Sequence, residues 1–305
     1  MNYDVVCIGE NCMDIIVKMD DRLATGRNHL CSELSIMPEG TGVNFAIASA
    51  RLEMRTELLT TISIDKFGED IRAVLGREGV YMHRDILSTK PTATIFAIID
   101  GEGEKMTMSF IHGAAYEDFS SGAVDYAKAL YVSGGLFTAE GCTRSAIDAM
   151  KNAGRMNIKV FFDPQVRIGE HIEGFRDWIE VGIERSDILF ITDWELKILR
   201  GENTEKTIRE LLKRLEVVCV KTGKKGCIVC SRDYIKKIPP FKVEAVSTLG
   251  CGDVFNAAFV KAFLDGMSME DAGHFANCAA ALNSKALGAV NGAPHLNDIN
   301  SSLLR

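Results

Sequence analysis

The 305-residue sequence predicts an α/β protein with a mainly parallel main sheet and a second, smaller β-sheet standing off it. Three observations carry that expectation. From Ala129 onward, short apolar runs alternate regularly with helical stretches, the rhythm of right-handed βαβ crossovers. Two glycine-bearing turns, at residues 38–42 and 247–252, run directly into helices. Between Thr92 and His112 two segments of alternating polarity flank a polar, glycine-bearing connection, which signals a hairpin.

In chain order, residues 3–8 form a short apolar run ending in Gly9-Glu10-Asn11, as a buried parallel strand does. The turn that follows is not Gly-x-Gly-x-x-Gly, which disfavours a dinucleotide-binding start. Residues 13–19 and 29–37 read as two strands around a polar connection containing Gly26 and Asn28, and they leave the main sheet. A buried helix follows Gly40-Thr41-Gly42, and residues 56–62 read as a strand. The next helix starts at Phe67, sets Ile71, Val74 and Leu75 on one face and closes at Gly79. Residues 93–99 and 106–111 make the hairpin, joined by residues 100–104. Strands are then expected at 129–133, 159–163, 188–191 and 217–220, with helices at 143–152 and near residues 175 and 205. Val254, Ala257, Ala258, Lys261 and Leu264 recur at helical spacing, and a last long helix holds Phe275 to Ala281. In such a sheet ligands bind at the carboxyl ends of the strands.

Composition narrows the function. A chain that is 47% hydrophobic and 25% charged buries a large core, as one large α/β domain or two smaller ones. A net charge of −7 offers no basic footprint for nucleic acid or an anionic membrane, so small-molecule partners are expected. No apolar run spans a bilayer and the N-terminus lacks a basic, then apolar, leader, so a cytoplasmic location is expected. Nine scattered cysteines suit reduced thiols; the two thiols of Cys227-Ile228-Val229-Cys230 fall on opposite faces of a strand, which argues against zinc or redox chemistry.

The chemistry concentrates in Ser247-Thr248-Leu249-Gly250-Cys251-Gly252-Asp253 at the start of a helix. Glycines allow a tight turn and close approach of a ligand to the backbone, and the free N–H groups of a helix N-terminus attract anions. Such a loop holds a phosphoryl group, with Asp253 placed to take a proton from an attacking hydroxyl. Taken alone, the stretch also fits a glycine-rich turn with an ordinary Asp cap. However, Gly250-Cys251-Gly252-Asp253 and the Ala-rich helices after it resemble the C-terminal signature of the ribokinase-like carbohydrate kinases, the PfkB family. Gly40-Thr41-Gly42-Val43-Asn44 resembles the N-terminal Gly-Gly-x-x-x-Asn signature of the same family, which binds sugar hydroxyls, and Asp14 matches its substrate-binding Asp. The resemblance spans nearly the whole chain.

That resemblance implies a three-layer α/β/α sandwich with a β-sheet lid, the main domain taking residues 1–12, 37–90 and 114–305 and the lid residues 13–36 and 91–113. It implies transfer of the γ-phosphoryl group of ATP, with Mg²⁺, to a hydroxyl of a small sugar or sugar acid, a ketose or 2-keto-3-deoxy acid being favoured. Asp253 is then the base and Gly250, Cys251 and Gly252 the anion hole, while Asp14, Gly40, Gly42 and Asn44 hold the sugar. Asp163-Pro164-Gln165-Val166-Arg167 resembles the family's Asp-Pro-Asn-x-Arg, with Arg167 a substrate contact and Gln165 in place of Asn. Thr192-Asp193-Trp194-Glu195 resembles its Asn-x-x-Glu, in which Glu195 places Mg²⁺ through water; here Thr192 replaces Asn. Lys221, the Gly223–Gly226 turn and Asn277 fall on the nucleotide side. Ser247 stands where many relatives carry an Asp beside a monovalent cation, so only weak K⁺ dependence is expected. A homodimer through the lids completes the expectation. The alternatives are a nucleoside kinase of the same family and a non-catalytic sugar- or nucleotide-binding relative.

Overall fold

The computed structural model describes residues 3–82, 86–102, 105–118, 124, 126–201 and 205–304. Strand β1 (Tyr3–Ile8) leads into β2 (Cys12–Met19) and β3 (Cys31–Glu39), then helix α1 (Thr41–Arg51), β4 (Thr56–Leu59), β5 (Ile62–Ser63) and α2 (Lys66–Arg77). After the short β6 (Tyr81–Met82) and β7 (Leu87–Ser88) come β8 (Thr94–Ile99), β9 (Lys105–Phe110) and β10 (Ala127–Ser133). The alternating half follows as α3 (Glu140–Arg155), β11 (Lys159–Asp163), α4 (Val166–Gly169), α5 (Phe175–Glu184), β12 (Ile188–Thr192), α6 (Asp193–Arg200), α7 (Glu205–Leu211) and β13 (Val217–Lys221). Strands β14 (Cys227–Ser231) and β15 (Tyr234–Ile238) close the sheet, and α8 (Cys251–Leu264), α9 (Met269–Asn283), α10 (Ala289–Gly292) and α11 (Leu296–Leu303) end the chain.

Among the described residues the main sheet has nine strands in the order β15-β14-β13-β12-β11-β10-β1-β4-β6. All neighbours pair in parallel except β13–β14 and β14–β15. Side chains along each strand alternate between two cores. Phe161, Phe190 and Tyr131 pack with α1, α8 and α9 on one face, whereas Phe162, Leu189 and Val132 pack with α3 and α5 on the other. The expected three layers are therefore present. Cys227 lies in the first core and Cys230 in the second, as strand geometry requires.

The smaller sheet runs β3-β2-β8-β9, with β8–β9 the expected hairpin and β2–β8 parallel. Residues 103 and 104 of its connection lie outside the described residues. Its inner face rests on the main body, where Ile16, Met37 and Ala97 meet Leu249 and Leu287. Several boundaries differ from expectation: the strand expected at 56–62 divides into β4 and β5, which lie in different sheets, and β3 starts at Cys31 and runs through Pro38 to Glu39 rather than stopping at Met37. β3 is an edge strand, and an edge strand tolerates a residue without an N–H.

Strand order grows outward in both directions from β1, through β4 on one side and β10 on the other. The carboxyl ends of β1 and β10 thus flank a topological switch point, where two connections diverge and leave a crevice.

Candidate active site

Close approaches at glycine shape that crevice. A Cβ on Gly9 would lie 2.6 Å from the Cα of Gly42, and one on Gly42 would lie 2.5 Å from the carbonyl carbon of Gly9, so the end of β1 and the start of α1 meet only because both are glycine. The Gly42 N–H donates to the Glu10 carbonyl at 3.0 Å. Gly40, at φ 106°, makes the turn into α1, and Gly250, at φ 68°, makes the turn into α8. A side chain on Gly250 would collide with Ala289 at 2.1 Å, whereas the space above Gly252 is open except for the Lys221 ammonium at 3.6 Å. The Cys251 N–H donates to the Thr248 carbonyl at 3.3 Å, and the first turn of α8 presents the N–H groups that follow it with a cation beside them.

Asp253 lies in that turn, 7% exposed. Its Oδ2 accepts from Asn44 Nδ2 at 2.9 Å, a contact that joins the two glycine turns across 209 residues of chain. Burial raises the Asp253 pKa well above the usual carboxylate range; the Asn44 hydrogen bond and Lys221 oppose that rise, while Asp163 and Glu10 add to it. A carboxylate with raised affinity for protons at an anion-binding helix end is suited to general-base work.

Lys221, at the end of β13, reaches Asp163 Oδ2 at 2.7 Å and Asn256 Oδ1 at 3.3 Å. Asn256 in turn donates to Asp163 Oδ2 at 2.5 Å and to the Tyr131 hydroxyl at 3.2 Å. Burial lowers the Lys221 pKa, but Asp163, Glu195 and Asp253 outweigh it and hold the ammonium above the ordinary lysine value. Lys221 is thus a fixed positive charge facing both the anion hole and Asp253. Asp163 Oδ1 and Glu10 Oε2 are buried and have no hydrogen-bond partner.

Glu195 is occupied by its own backbone surroundings. Its Oε1 accepts from Val166 N at 2.9 Å, and Oε2 accepts from Thr192 N at 2.9 Å and Thr192 Oγ1 at 2.8 Å. Thr192 answers by accepting from Glu195 N, which makes a capping box at the start of α6. Threonine at this position keeps the cap, so the Thr192 departure costs no local structure. Burial, then Asp163, raises the Glu195 pKa. With both Glu195 oxygens taken, the buried Asp163 Oδ1 that lacks a hydrogen-bond partner would be the hard oxygen donor available to a Mg²⁺ held mainly by water and phosphate.

The other expected positions divide. Asp14, on the inner face of β2, is buried and accepts from the Cys12 thiol at 3.3 Å. Gln165 sits at φ 49°, a left-handed conformation that turns the chain into α4, and Arg167 lies over the Trp194 ring at 5.2 Å. Gly223 and Gly226 have positive φ, and a side chain on Gly226 would strike the Ile238 carbonyl at 2.2 Å, so backbone geometry alone demands glycine there. Asn277 donates to the Pro239 carbonyl at 2.9 Å and so fastens the exit of β15 to α9.

Two residues of the site were not anticipated. Asn256 is one helical turn beyond Asp253, a spacing that places both on one face. Glu39 precedes Gly40, and its carboxylate accepts from Ala289 N at 2.9 Å, beside a Gly288 whose Cβ would lie 2.4 Å from Glu39 Oε1.

The family described as "pfkB family carbohydrate kinase" matches residues 2–296 of the chain. The ribokinase of Bacillus subtilis (strain 168) is 27% identical over 98% of the chain and 99% of its own length. A probable chloroplastic fructokinase, fructokinase-6 of Arabidopsis thaliana, is 25% identical over 99% of the chain and 82% of its own length. Among solved structures, a putative ribokinase II from E. coli in complex with ATP and Mg²⁺ superposes with a TM-score of 0.88 at 21% identity, covering 99% of both chains, and supports the fold.

Proposed function

The chain belongs to the pfkB family of carbohydrate kinases, phosphotransferases that act on an alcohol group, and from that premise we propose that it moves the γ-phosphoryl group of ATP to a hydroxyl of a small sugar, a ketose being the favoured acceptor. The observation that carries this reading is the Asp253 carboxylate, buried at the N-terminus of α8 between Asn44 and Lys221.

In the proposed reaction the acceptor hydroxyl lies against Asp253. As its oxygen bonds to the γ-phosphorus, the bond to the β-bridging oxygen breaks, Asp253 takes the hydroxyl proton and ADP carries away the electron pair. The amides around Gly250, Cys251 and Gly252 and the Lys221 ammonium stabilise charge on the transferring group. Asn44 orients Asp253 and offers a buried Oδ1, which has no protein partner, to a sugar hydroxyl. Asp14 and the Gly40–Gly42 turn complete the acceptor side. Mg²⁺, near Asp163 and reached from Glu195 through water, would neutralise the phosphates. Lys221, Thr192, the Gly223–Gly226 turn and Asn277 are assigned to the nucleotide side.

Residues 13–36 and 91–113 are proposed as a lid over the main domain of residues 1–12, 37–90 and 114–305, the chain as a lid-to-lid homodimer, and its location as cytoplasmic. Among the described residues no helix is long and apolar enough to cross a membrane. A sugar acid as acceptor rests on Arg167 alone. The deciding experiment is acceptor-dependent ADP formation from Mg·ATP across ketoses, aldoses, sugar acids and nucleosides. Turnover with a sugar supports the reading; ATP binding without turnover on any acceptor replaces it with a binding protein.

A further inference from the structure

The acceptor side of the site carries more negative charge than a polyol needs. Asp14 comes from β2, Glu39 from β3 and Asp253 from α8, all buried, and Asn44 of α1 lies between the last two. The groups that face Glu39 are Asp14, the Asn44 amide and the N–H groups of Ala289 and Val290 at the start of α10, and none of them is a cation. Among the described residues, Lys221 is paired with Asp163 and Arg167 lies over the Trp194 ring. Glu39 registers the imbalance directly. Burial, and then the Asp14 charge, push its pKa up to about 7, against the pull of Asn44 and the two N–H groups.

Register places these groups on one surface. Cys12 pairs with Glu39 and Asp14 with Met37, so Asp14 and Glu39 are diagonal neighbours on the inner face of the small sheet, the face that rests on the main body. A ligand enclosed between that sheet and Asp253 meets both carboxylates. An anionic substituent placed there would face like charge in a poorly solvated space, a penalty that a hydroxyl or an ammonium does not meet.

Resting on the kinase reading and narrowing its acceptor, we infer that Glu39 selects the acceptor by charge: the substrate is a polyol that is uncharged or carries a basic nitrogen, and carboxylated or phosphorylated sugars are turned away. This removes the sugar acid from the acceptors that the resemblance left open.

The test uses one skeleton in three charge states, D-fructose, 1-amino-1-deoxy-D-fructose and 2-keto-D-gluconate, with kcat/KM measured for the wild type and for Glu39→Gln at pH 6 and pH 8. Glutamine keeps an acceptor for the Ala289 N–H and removes the charge, and a thermal melt establishes that the variant is folded. The wild type at pH 8 is expected to use the acid about tenfold to a hundredfold less well than the other two. That gap should narrow at pH 6, where Glu39 is largely protonated, and narrow at both pH values in Glu39→Gln. A purely structural Glu39 would alter all three substrates together and leave the ratio fixed. The inference is overturned if the wild type uses the acid as well as fructose, or if folded Glu39→Gln keeps the wild-type ratio. Absence of acceptor-dependent ADP with any compound removes the kinase reading, and this inference with it.

Discussion

Asp253 and Lys221 act as one electrostatic unit, and single substitutions separate their contributions. Asp253→Asn keeps shape and hydrogen-bonding capacity but cannot take the hydroxyl proton. Its kcat should fall by roughly 10² to 10⁴, the usual size of general-base catalysis, with acceptor binding little changed. Near wild-type kcat in that variant would exclude the mechanism. Because the Asp253 pKa is raised, its basic, ionised form is lost as pH falls through a value above the ordinary carboxylate range. The acid limb of kcat/KM against pH should therefore lie higher than a surface Asp would place it. Lys221 favours the ionised form, so Lys221→Met should move that limb to still higher pH while lowering the rate; an unmoved limb would show that another group sets it. Arg167 gives a simpler reading. If its guanidinium, stacked on Trp194, also meets substrate, Arg167→Ala raises KM for the best acceptor; if KM is untouched, the residue belongs to the surface of α4 or to the nucleotide.

At the scale of elements, what the sequence disclosed follows from period and length. The long strands of the alternating half and the amphipathic helices carry a period that repeats, and both glycine turns carry a backbone demand no other residue meets, so these were readable. Strands β5, β6 and β7 have two residues each and no period to show. β15 carries Lys236 and Lys237 on an exposed edge, so its apolar content conceals it. Helix α6 did leave a signal, the Thr192-to-Glu195 capping box, which was read for its chemistry rather than as a helix start. Asn256 and Glu39 acquire their roles from partners 93 and 250 residues away in sequence, and no local pattern encodes such pairs. The loop before α8 supports one prediction at this scale. Ser247 Oγ already accepts from Leu249 N at 3.2 Å, and a neutral hydroxyl supplies no charge to offset dehydration of a bound cation. Initial rates in K⁺ and in a bulky organic cation at equal ionic strength should therefore differ little, and Ser247→Asp should create or strengthen the difference. A strong K⁺ requirement in the wild type would refute this.

The outer face of the small sheet is an apolar surface that a single chain leaves uncovered. Ile36, Ile15, Phe96 and Met108 form one cross-strand row of the small sheet and Leu34, Val17, Ile98 and Met106 the next, all on the face turned away from the main body. Leu34 is 63% exposed, Ile36 52%, Phe96 40% and Met108 51%. A contiguous apolar patch of this kind marks an interaction surface, and a two-fold axis through it would bring like rows together. Burying the exposed half of each such side chain contributes about 1 kcal/mol. Counted on both copies, that approaches the roughly 4–15 kcal/mol of rotational and translational freedom lost on association. The same sheet carries Asp14 and Glu39 on its inner face, so pairing the outer faces would also hold the acceptor side over the crevice. A homodimer is therefore expected by light scattering at micromolar concentration. Met108→Glu, which places like charges near the axis, should yield a folded monomer with weakened acceptor binding. A wild-type mass of one chain would show that the outer face stays exposed.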